Sequence, residues 1–174
     1  SCFLRLKEAG RRCAYNFSMG ALGYAIPAAI GASFGASSEA PVVAFIGDGS
    51  FGFCAAELET AARLGRKIIY IIFNNSTFGW IRGTQRVHEG AELAPSFAAF
   101  TDFAKVDYVK FAESMGLKGK RAESVEDFEK AFKESLKHEG PSFIDVPLLP
   151  EDKQLPPVPG WAAAKIAKAE DMTY

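Results

Sequence analysis

Three short, almost wholly apolar runs constrain the fold of this chain more than any other feature. Residues 41–46 and 67–73 are rich in β-branched side chains, and residues 142–146 form a third run. Strands covered by helices on both faces of a parallel sheet have this composition. Between the runs, apolar spacing predicts helices over 22–34, 51–64, 108–115 and 125–138, the last with Ser124 as N-cap. This alternation predicts an α/β fold, a doubly wound and mostly parallel sheet flanked by helices.

Length and charge limit the class of protein. The 174 residues, 48% of them hydrophobic, can bury one sizeable core, and we expect residues 1–147 to form one domain. Residues 148–174 begin with a proline-rich stretch, which predicts an extended arm followed by a C-terminal helix. The net charge of −1 gives no positive field for nucleic acid, and the apolar runs are shorter than the roughly 20 residues of a membrane span. We therefore expect a cytoplasmic protein that binds small molecules or proteins.

The segments that follow the first two predicted strands carry the candidate site, because ligands of doubly wound sheets lie beyond the carboxyl ends of the strands. The first strand leads into Gly47-Asp48-Gly49-Ser50-Phe51-Gly52, which satisfies the GxGxxG pattern of a dinucleotide site. A dinucleotide site also requires an acidic residue at the end of the next strand, which ends instead in Asn74-Asn75. In addition, Asp48 would repel a pyrophosphate unless a cation lay between them.

Asp48 therefore indicates a metal in this loop. Mg²⁺ prefers octahedral oxygen coordination, typically from one or two protein groups together with phosphate oxygens and water. Asp48 and Asn75, each just past a strand end, could supply two such ligands. A helix beginning near Ser50 would turn its N-terminal amides toward a diphosphate, and Gly49 would allow close approach of the backbone. One loop is thus predicted to bind a metal and a diphosphate together.

The spacing of these residues resembles a known signature. Asp48 and the second asparagine of Phe73-Asn74-Asn75 lie 27 residues apart, which is similar to the GDG…NN motif of enzymes that use thiamin diphosphate. The resemblance implies that the Asp48 and Asn75 side chains and the Thr77 carbonyl bind Mg²⁺. The neighbouring residues implied to bind the cofactor are Gly47, Gly49, Ser50, Phe78 and Gly79.

A second stretch, residues 19–32, resembles the GxMGxGLPAAIGA segment of the acetolactate synthase and pyruvate oxidase group. The resemblance implies that Gly20, Ala21 and Leu22 contact the cofactor. Gly20 would offer its carbonyl to the aminopyrimidine, and Leu22 would be the bulky residue that bends the cofactor. Leu22 stands where methionine is commoner, a volume-conserving exchange. Pro27 is unusual four residues into a predicted helix, because proline removes a backbone donor and belongs in the first turn.

The same resemblance implies a reaction that this chain cannot complete alone. Thiamin diphosphate supplies the electron sink for decarboxylation of a 2-oxoacid such as pyruvate. In this family the activating glutamate belongs to a separate pyrimidine-binding domain, usually on another subunit, and neither Glu57 nor Glu59 can be assigned its role. We therefore assign no catalytic residue here, and expect an inactive isolated chain and a homo-oligomeric enzyme. The first strand and helix of the family domain also have no counterpart, which predicts an uncovered sheet edge unless another chain pairs with it.

Residues 76–85 resemble the NxxxGxIxxxQ pattern of pyruvate oxidases and acetolactate synthases, but leave the substrate open. Phe78, Trp80 and Ile81 could line an acyl pocket or simply pack. Arg82 could meet a carboxylate or a phosphate, or lie in solvent. The sequence does not choose among oxidation, carboligation and simple decarboxylation.

Two alternative functions stay open at this point. One is the small subunit of a two-chain 2-oxoacid decarboxylase, such as one for sulfopyruvate, in which the two cofactor-binding domains are separate polypeptides. The other is a non-catalytic nucleotide-binding or regulatory module that kept the fold. The second alternative predicts nucleotide binding without any dependence on thiamin.

Overall fold

A parallel sheet organises the part of the chain that the computed structural model describes, which is residues 12–16, 18–36, 40–89 and 99–150, with side chains except those of 86–89. Four strands form this sheet in the order β1-β2-β4-β3, and every neighbouring pair is parallel. The prediction of a mostly parallel α/β sheet is therefore confirmed. The strands are β1 (Val42–Gly47), β2 (Ile68–Asn74), β3 (Lys118–Arg121) and β4 (Ser142–Pro147).

Helices connect the strands and cover the sheet on two sides. They are α1 (Ala25–Gly35), α2 (Asp48–Cys54), α3 (Glu57–Arg63), α4 (Gly79–Glu89), α5 (Tyr108–Ser114) and α6 (Val125–Lys137). Ser124 is the N-cap of α6 as predicted, since its Oγ accepts a 3.0 Å hydrogen bond from the Asp127 amide. Within the described residues, every helix is too short or too polar to cross a membrane.

The single helix predicted over 51–64 is wrong, because α2 and α3 are separated by a turn. The two residues between them keep right-handed helical dihedral angles. The hydrogen bonds there narrow to a three-residue spacing, with Leu58 N donating to Ala55 O at 3.2 Å and Glu59 N to Ala56 O at 3.1 Å. Bonds of this 3₁₀ type replace α-helical bonds between the two helices.

The predicted start of α1 is also wrong, and the correction explains Pro27. The helix begins at Ala25 rather than at Leu22, so Pro27 is its third residue. Backbone N–H groups in the first turn of a helix have no acceptor within the helix, and proline costs nothing there. Gly23, with φ of +88°, turns the chain just before the helix.

Two apolar layers lie on opposite faces of the sheet. On the first face, α1, α2, α3 and α5 pack on the strands, with Phe51, Tyr70 and Phe143 at the centre. Phe51 meets Phe143 edge-on with ring centroids 5.6 Å apart. On the second face, α6 packs through Ala131 on Ile144 and its neighbours. Helices on both faces are what a doubly wound connection produces.

Part of the second face is open beside β1, which is an edge of the described sheet. Phe45 and Phe73 stack there with centroids 6.0 Å apart and are 52% and 37% exposed. They line a cleft between the sheet and α6.

Candidate functional site

Three oxygen atoms converge where β1 and β2 end. The side-chain Oδ1 of Asn75 lies 2.9 Å from the Thr77 carbonyl oxygen and 3.3 Å from Asp48 Oδ1. Oxygens that lack a proton repel one another at such distances unless a donor or a cation lies between them. Octahedral Mg²⁺ with bonds of 2.0–2.1 Å holds adjacent ligands about 2.9 Å apart, so the spacing fits that ion. Without a cation, the amide can turn over so that Nδ2 donates to both oxygens.

The structure therefore brings together the three metal ligands predicted from the sequence. Within the described residues, no cluster of three or more His, Cys, Asp or Glu side chains could hold a metal ion. The present set has one carboxylate, one amide and one carbonyl, which suits a hard cation that completes its shell with outside oxygens. Hence these residues fit a magnesium ion that also binds a diphosphate.

Asp48 is held in place by amide groups from both strand ends. It is 5% exposed, accepts from Gly49 N at 2.9 Å, and accepts from Ser76 N at 2.5 Å. Burial raises the pKa of Asp48 above its usual value, while the surrounding backbone amides act in the opposite direction. A cation beside the carboxylate would favour the ionised form that ligation requires.

Ser76 has the only left-handed backbone among the described non-glycine residues, with φ of +57°. Such a conformation costs roughly 1–2 kcal/mol for an L-residue and needs local support. Asn74 supplies it, because its Oδ1 accepts from Ser76 N at 3.1 Å and from Ser76 Oγ at 3.2 Å. The turn at Ser76 is what places Asn75 and Thr77 on the same side as Asp48.

A buried carboxylate that the sequence reasoning missed lies behind this turn. Asp145 of β4 is 1% exposed and accepts from Asn74 Nδ2 at 3.2 Å and from Arg121 Nη1 at 2.8 Å. Burial raises the pKa of Asp145 above its usual value, although the contacts with Asn74 and Arg121 act in the opposite direction. An acid inside the otherwise apolar run 142–146 was the available signal, since a buried charge needs partners.

The two glycine segments of the predicted site meet at Ser50. Gly23 N donates to Ser50 Oγ at 2.9 Å, which joins the turn before α1 to α2. Because this hydroxyl accepts from Gly23, its own proton is free to be directed to another acceptor. Gly20, Ala21 and Leu22 lie in this turn and are exposed, Leu22 by 43%.

Gly49 has a packing role that the sequence did not indicate. A Cβ atom at this position would lie 2.5 Å from Phe78 Cδ1, so the absence of a side chain admits the Phe78 ring. Phe78 in turn packs edge-on against Phe103, with ring centroids 4.6 Å apart. Gly47 ends β1 and Gly79 begins α4, so both flank the oxygen cluster.

A segment after α4 fastens the loop that carries Thr77. Phe78 N donates to Thr101 O at 2.9 Å, Phe103 N donates to Ser76 O at 2.8 Å, and Thr77 Oγ1 donates to Thr101 O at 3.0 Å. These bonds tie the loop to residues 101–103. The sequence reasoning missed this segment because it has no apolar periodicity.

The residues considered for a substrate pocket have different surroundings. Trp80 and Ile81 are 73% and 45% exposed. Arg82 forms an ion pair with Asp102, so it is not simply solvated. Glu57 and Glu59 lie exposed on α3.

Comparison with known proteins identifies the family of the chain. Residues 2–146 match the model of the family described as thiamine pyrophosphate enzyme, C-terminal TPP binding domain. The chain is 41% identical over 130 residues to acetolactate synthase of Bacillus subtilis (strain 168), covering 75% of this chain and 22% of that protein. It is 35% identical over 150 residues to 3D-(3,5/4)-trihydroxycyclohexane-1,2-dione hydrolase of Shouchella clausii, covering 84% of this chain and 23% of that protein.

Solved structures show the same fold. The crystal structure of benzoylformate decarboxylase from Polynucleobacter necessarius superposes with a TM-score of 0.69 at 26% identity, covering 80% of this chain and 25% of that one. The chain thus spans about a quarter of the length of the relatives it matches. The chain belongs to the thiamin diphosphate-dependent enzymes, as a C-terminal cofactor-binding domain of the acetolactate synthase and decarboxylase group.

Proposed function

We propose that this chain binds thiamin diphosphate through a magnesium ion and serves an acetolactate-synthase-like enzyme acting on pyruvate or a related 2-oxoacid. The observation that carries the proposal is the convergence of Asn75 Oδ1, Thr77 O and Asp48 Oδ1 at distances of 2.9 and 3.3 Å. The Thr77 carbonyl and the Asp48 carboxylate both face the Asn75 side-chain amide, whose oxygen can turn toward a cation bound among them.

Different groups of the chain would bind the metal ion, the diphosphate and the rest of the cofactor. Asp48, Asn75 and Thr77 would ligate the metal on one side, and the diphosphate would complete its shell. Ser50 would donate its hydroxyl proton to a phosphate oxygen, because its lone pair already accepts from Gly23 N. Gly20 and Leu22, exposed on the same turn as Gly23, would meet the rest of the cofactor.

The bound cofactor would supply the electron sink for cleavage next to the substrate carbonyl. The described residues would orient it, but Glu57 and Glu59 are exposed on α3 and are not candidates to activate it. We therefore propose that a pyrimidine-binding domain or subunit provides the activating glutamate, within a homo-oligomer. The 41% identity with an acetolactate synthase supports pyruvate as the first substrate to test.

A calorimetric titration tests the metal and diphosphate part of the proposal. Thiamin diphosphate and, separately, inorganic pyrophosphate are added to the protein with and without Mg²⁺. Pyrophosphate makes the result independent of any pyrimidine-binding domain. Binding is expected only with Mg²⁺, and the Asp48→Ala variant should lose it because the carboxylate ligand is gone. Glu126→Ala, which removes an exposed acid on α6, is the matched control and should bind like the wild type.

Failure of the folded wild-type chain to bind either ligand in the presence of Mg²⁺ would contradict the metal site. Equal binding of a nucleotide without Mg²⁺ would favour a nucleotide-binding module instead. The reaction itself is tested by combining the protein with a pyrimidine-binding domain and measuring thiamin-dependent consumption of pyruvate. The chain alone should consume none.

A further inference from the structure

We propose that Asp145 is a positioning residue of the metal site, acting through Asn74 on the backbone of Ser76. The inference rests on the proposed magnesium site, from which Asp145 is separated by the Asn74 side chain and the Ser76 backbone. The contacts run in series from Arg121 Nη1 to Asp145 at 2.8 Å, from Asn74 Nδ2 to Asp145 at 3.2 Å, and from Ser76 N to Asn74 at 3.1 Å. Ser76 N also donates to Asp48 Oδ2.

Asp145 fixes which way the Asn74 amide faces. Both atoms of that amide are used, because Nδ2 donates to Asp145 while Oδ1 accepts from the Ser76 amide and hydroxyl. If the amide turned over, Nδ2 would face the Ser76 N–H and two donors would oppose each other. The carboxylate, held in turn by Arg121, excludes that orientation.

The orientation of Asn74 matters for the metal ligands because Ser76 lies between them in sequence. Ser76 keeps a left-handed backbone with φ of +57°, which L-residues adopt only with support. Losing the support from Asn74 would let this residue relax, and the neighbouring Asn75 amide and Thr77 carbonyl would move away from Asp48. Partners behind a metal ligand typically change metal affinity 10- to 100-fold when they are removed.

Counting donors and acceptors gives a specific test. In Asp145→Asn, the chain of contacts from Arg121 to Ser76 has one acceptor too few. One donor must then face another, whichever way the side-chain amides at positions 145 and 74 turn. Exchanging the two residues, as Asp145→Asn with Asn74→Asp, restores the count. The new carboxylate at position 74 then accepts from Ser76 and from the new amide at position 145, whose oxygen accepts from Arg121. The exchange also keeps the net charge of the wild type.

The experiment measures the affinity of each variant for Mg²⁺ in the presence of thiamin diphosphate, by calorimetry at a temperature where all are folded. Asp145→Asn should bind Mg²⁺ on the order of 10- to 100-fold more weakly, and the exchanged double variant should recover most of the loss. Ile144→Val is the matched control for lost stability. Ile144 is buried next to Asp145 but packs on the other face of the sheet. The affinity of the Ile144→Val variant for Mg²⁺ should therefore equal that of the wild type.

A second readout separates this inference from the proposed function. Hydrogen exchange of the Ser76 amide, measured by NMR without metal or cofactor, should be faster in Asp145→Asn and return to the wild-type rate in the double variant. If the wild type binds no Mg²⁺, the proposed function fails. The exchange rates then still show whether Asp145 supports the backbone of Ser76. Wild-type affinity in Asp145→Asn, or an unchanged Ser76 exchange rate, would overturn the inference.

Discussion

Substituting Gly49 by alanine tests how closely the loop after β2 packs against α2. A Cβ atom at position 49 would lie 2.5 Å from Phe78 Cδ1 and 2.7 Å from Cε1, well inside van der Waals contact. The ring cannot easily withdraw, because it packs edge-on against Phe103 with centroids 4.6 Å apart. Overpacking of this kind typically costs about 1–3 kcal/mol. Exchanging glycine for alanine in a helix gains roughly 0.5–1 kcal/mol, which offsets part of that cost.

Gly52 provides a matched control in the same helix. It is exposed, and a Cβ atom there would meet no atom within 4 Å. We therefore expect Gly52→Ala to raise the free energy of unfolding by roughly 0.5–1 kcal/mol and Gly49→Ala to lower it by about 0.5–2 kcal/mol. For a chain of this size, 1 kcal/mol corresponds to roughly 2–4 °C in Tm, so the two variants should differ by roughly 2–12 °C.

Thermal unfolding followed by circular dichroism measures this difference. A calorimetric titration with Mg²⁺ and thiamin diphosphate then tests the site. Gly49→Ala should bind more weakly, because a displaced Phe78 shifts the adjacent Thr77 carbonyl. If both variants raise Tm equally, the Phe78 ring moves at no cost and the reasoning about close packing is wrong.

Three further predictions concern pH, backbone strain and helix capping. The raised pKa of Asp48 means that the folded, metal-free protein binds this proton more tightly than the unfolded chain. The stability contributed by protonated Asp48 is therefore lost as pH rises from the ordinary Asp pKa of about 3.9 through the folded pKa. Urea unfolding at a series of pH values should show a steeper slope in the wild type than in Asp48→Ala, in which the buried Asp145 still contributes. Gly23→Ala should destabilise more than Gly20→Ala, by about 1–3 kcal/mol. Both glycines have positive φ, but only at Gly23 would a Cβ meet side-chain atoms at 2.9 Å; equal shifts in Tm would refute this. Ser124→Ala should cost about 1 kcal/mol in urea unfolding, because α6 loses its capping oxygen, and should leave cofactor binding unchanged.

The sequence predicted the central strands, and the placement of Asp48 and Asn75 just past two of them, because these signals are local. The apolar runs of β1, β2 and β4 have the composition of covered parallel strands, and Asp48 and Asn75 follow two of those strands directly. Neighbouring parallel strands end at the same edge of a sheet, so residues far apart in sequence meet there. The register agrees with this, since Gly47 pairs with Phe73, and Asp48 and Asn75 lie one and two residues beyond these partners.

β3 was not predicted, for a physical reason. The strand Lys118–Arg121 has three charged residues and lies at the edge of the sheet. Gly119 is the only buried residue of this strand. A side chain at Gly119 would lie 2.8 Å from Val109 Cγ1 of α5, so the glycine is there to let the helix approach. Neither feature produces an apolar run, because the edge position depends on pairing with β4 and the glycine on the approach of α5.

The roles of Asp145 and Ser76 could not be read from the sequence for the same reason. Asp145 is recognisable as an acid within an apolar run, but its partners come from β2 and β3. The left-handed turn at Ser76 depends on Asn74 and on the segment around Phe103. The predicted C-terminal helix and arm from residue 151 onward lie outside the described residues, and the boundary at residue 147 stays a prediction.

The origin of the oxygen cluster at two adjacent strand ends has a consequence for engineering. Its geometry depends on the backbone register of β1 and β2 rather than on the exposed side chains of α4, such as Trp80 and Ile81. In the proposed enzyme, cofactor binding and substrate selectivity would therefore be carried by separable parts. Variants at the exposed α4 positions would then be screened for new substrates with the oxygen cluster left unchanged, and the relatives that share this domain are named as a synthase, a hydrolase and a decarboxylase.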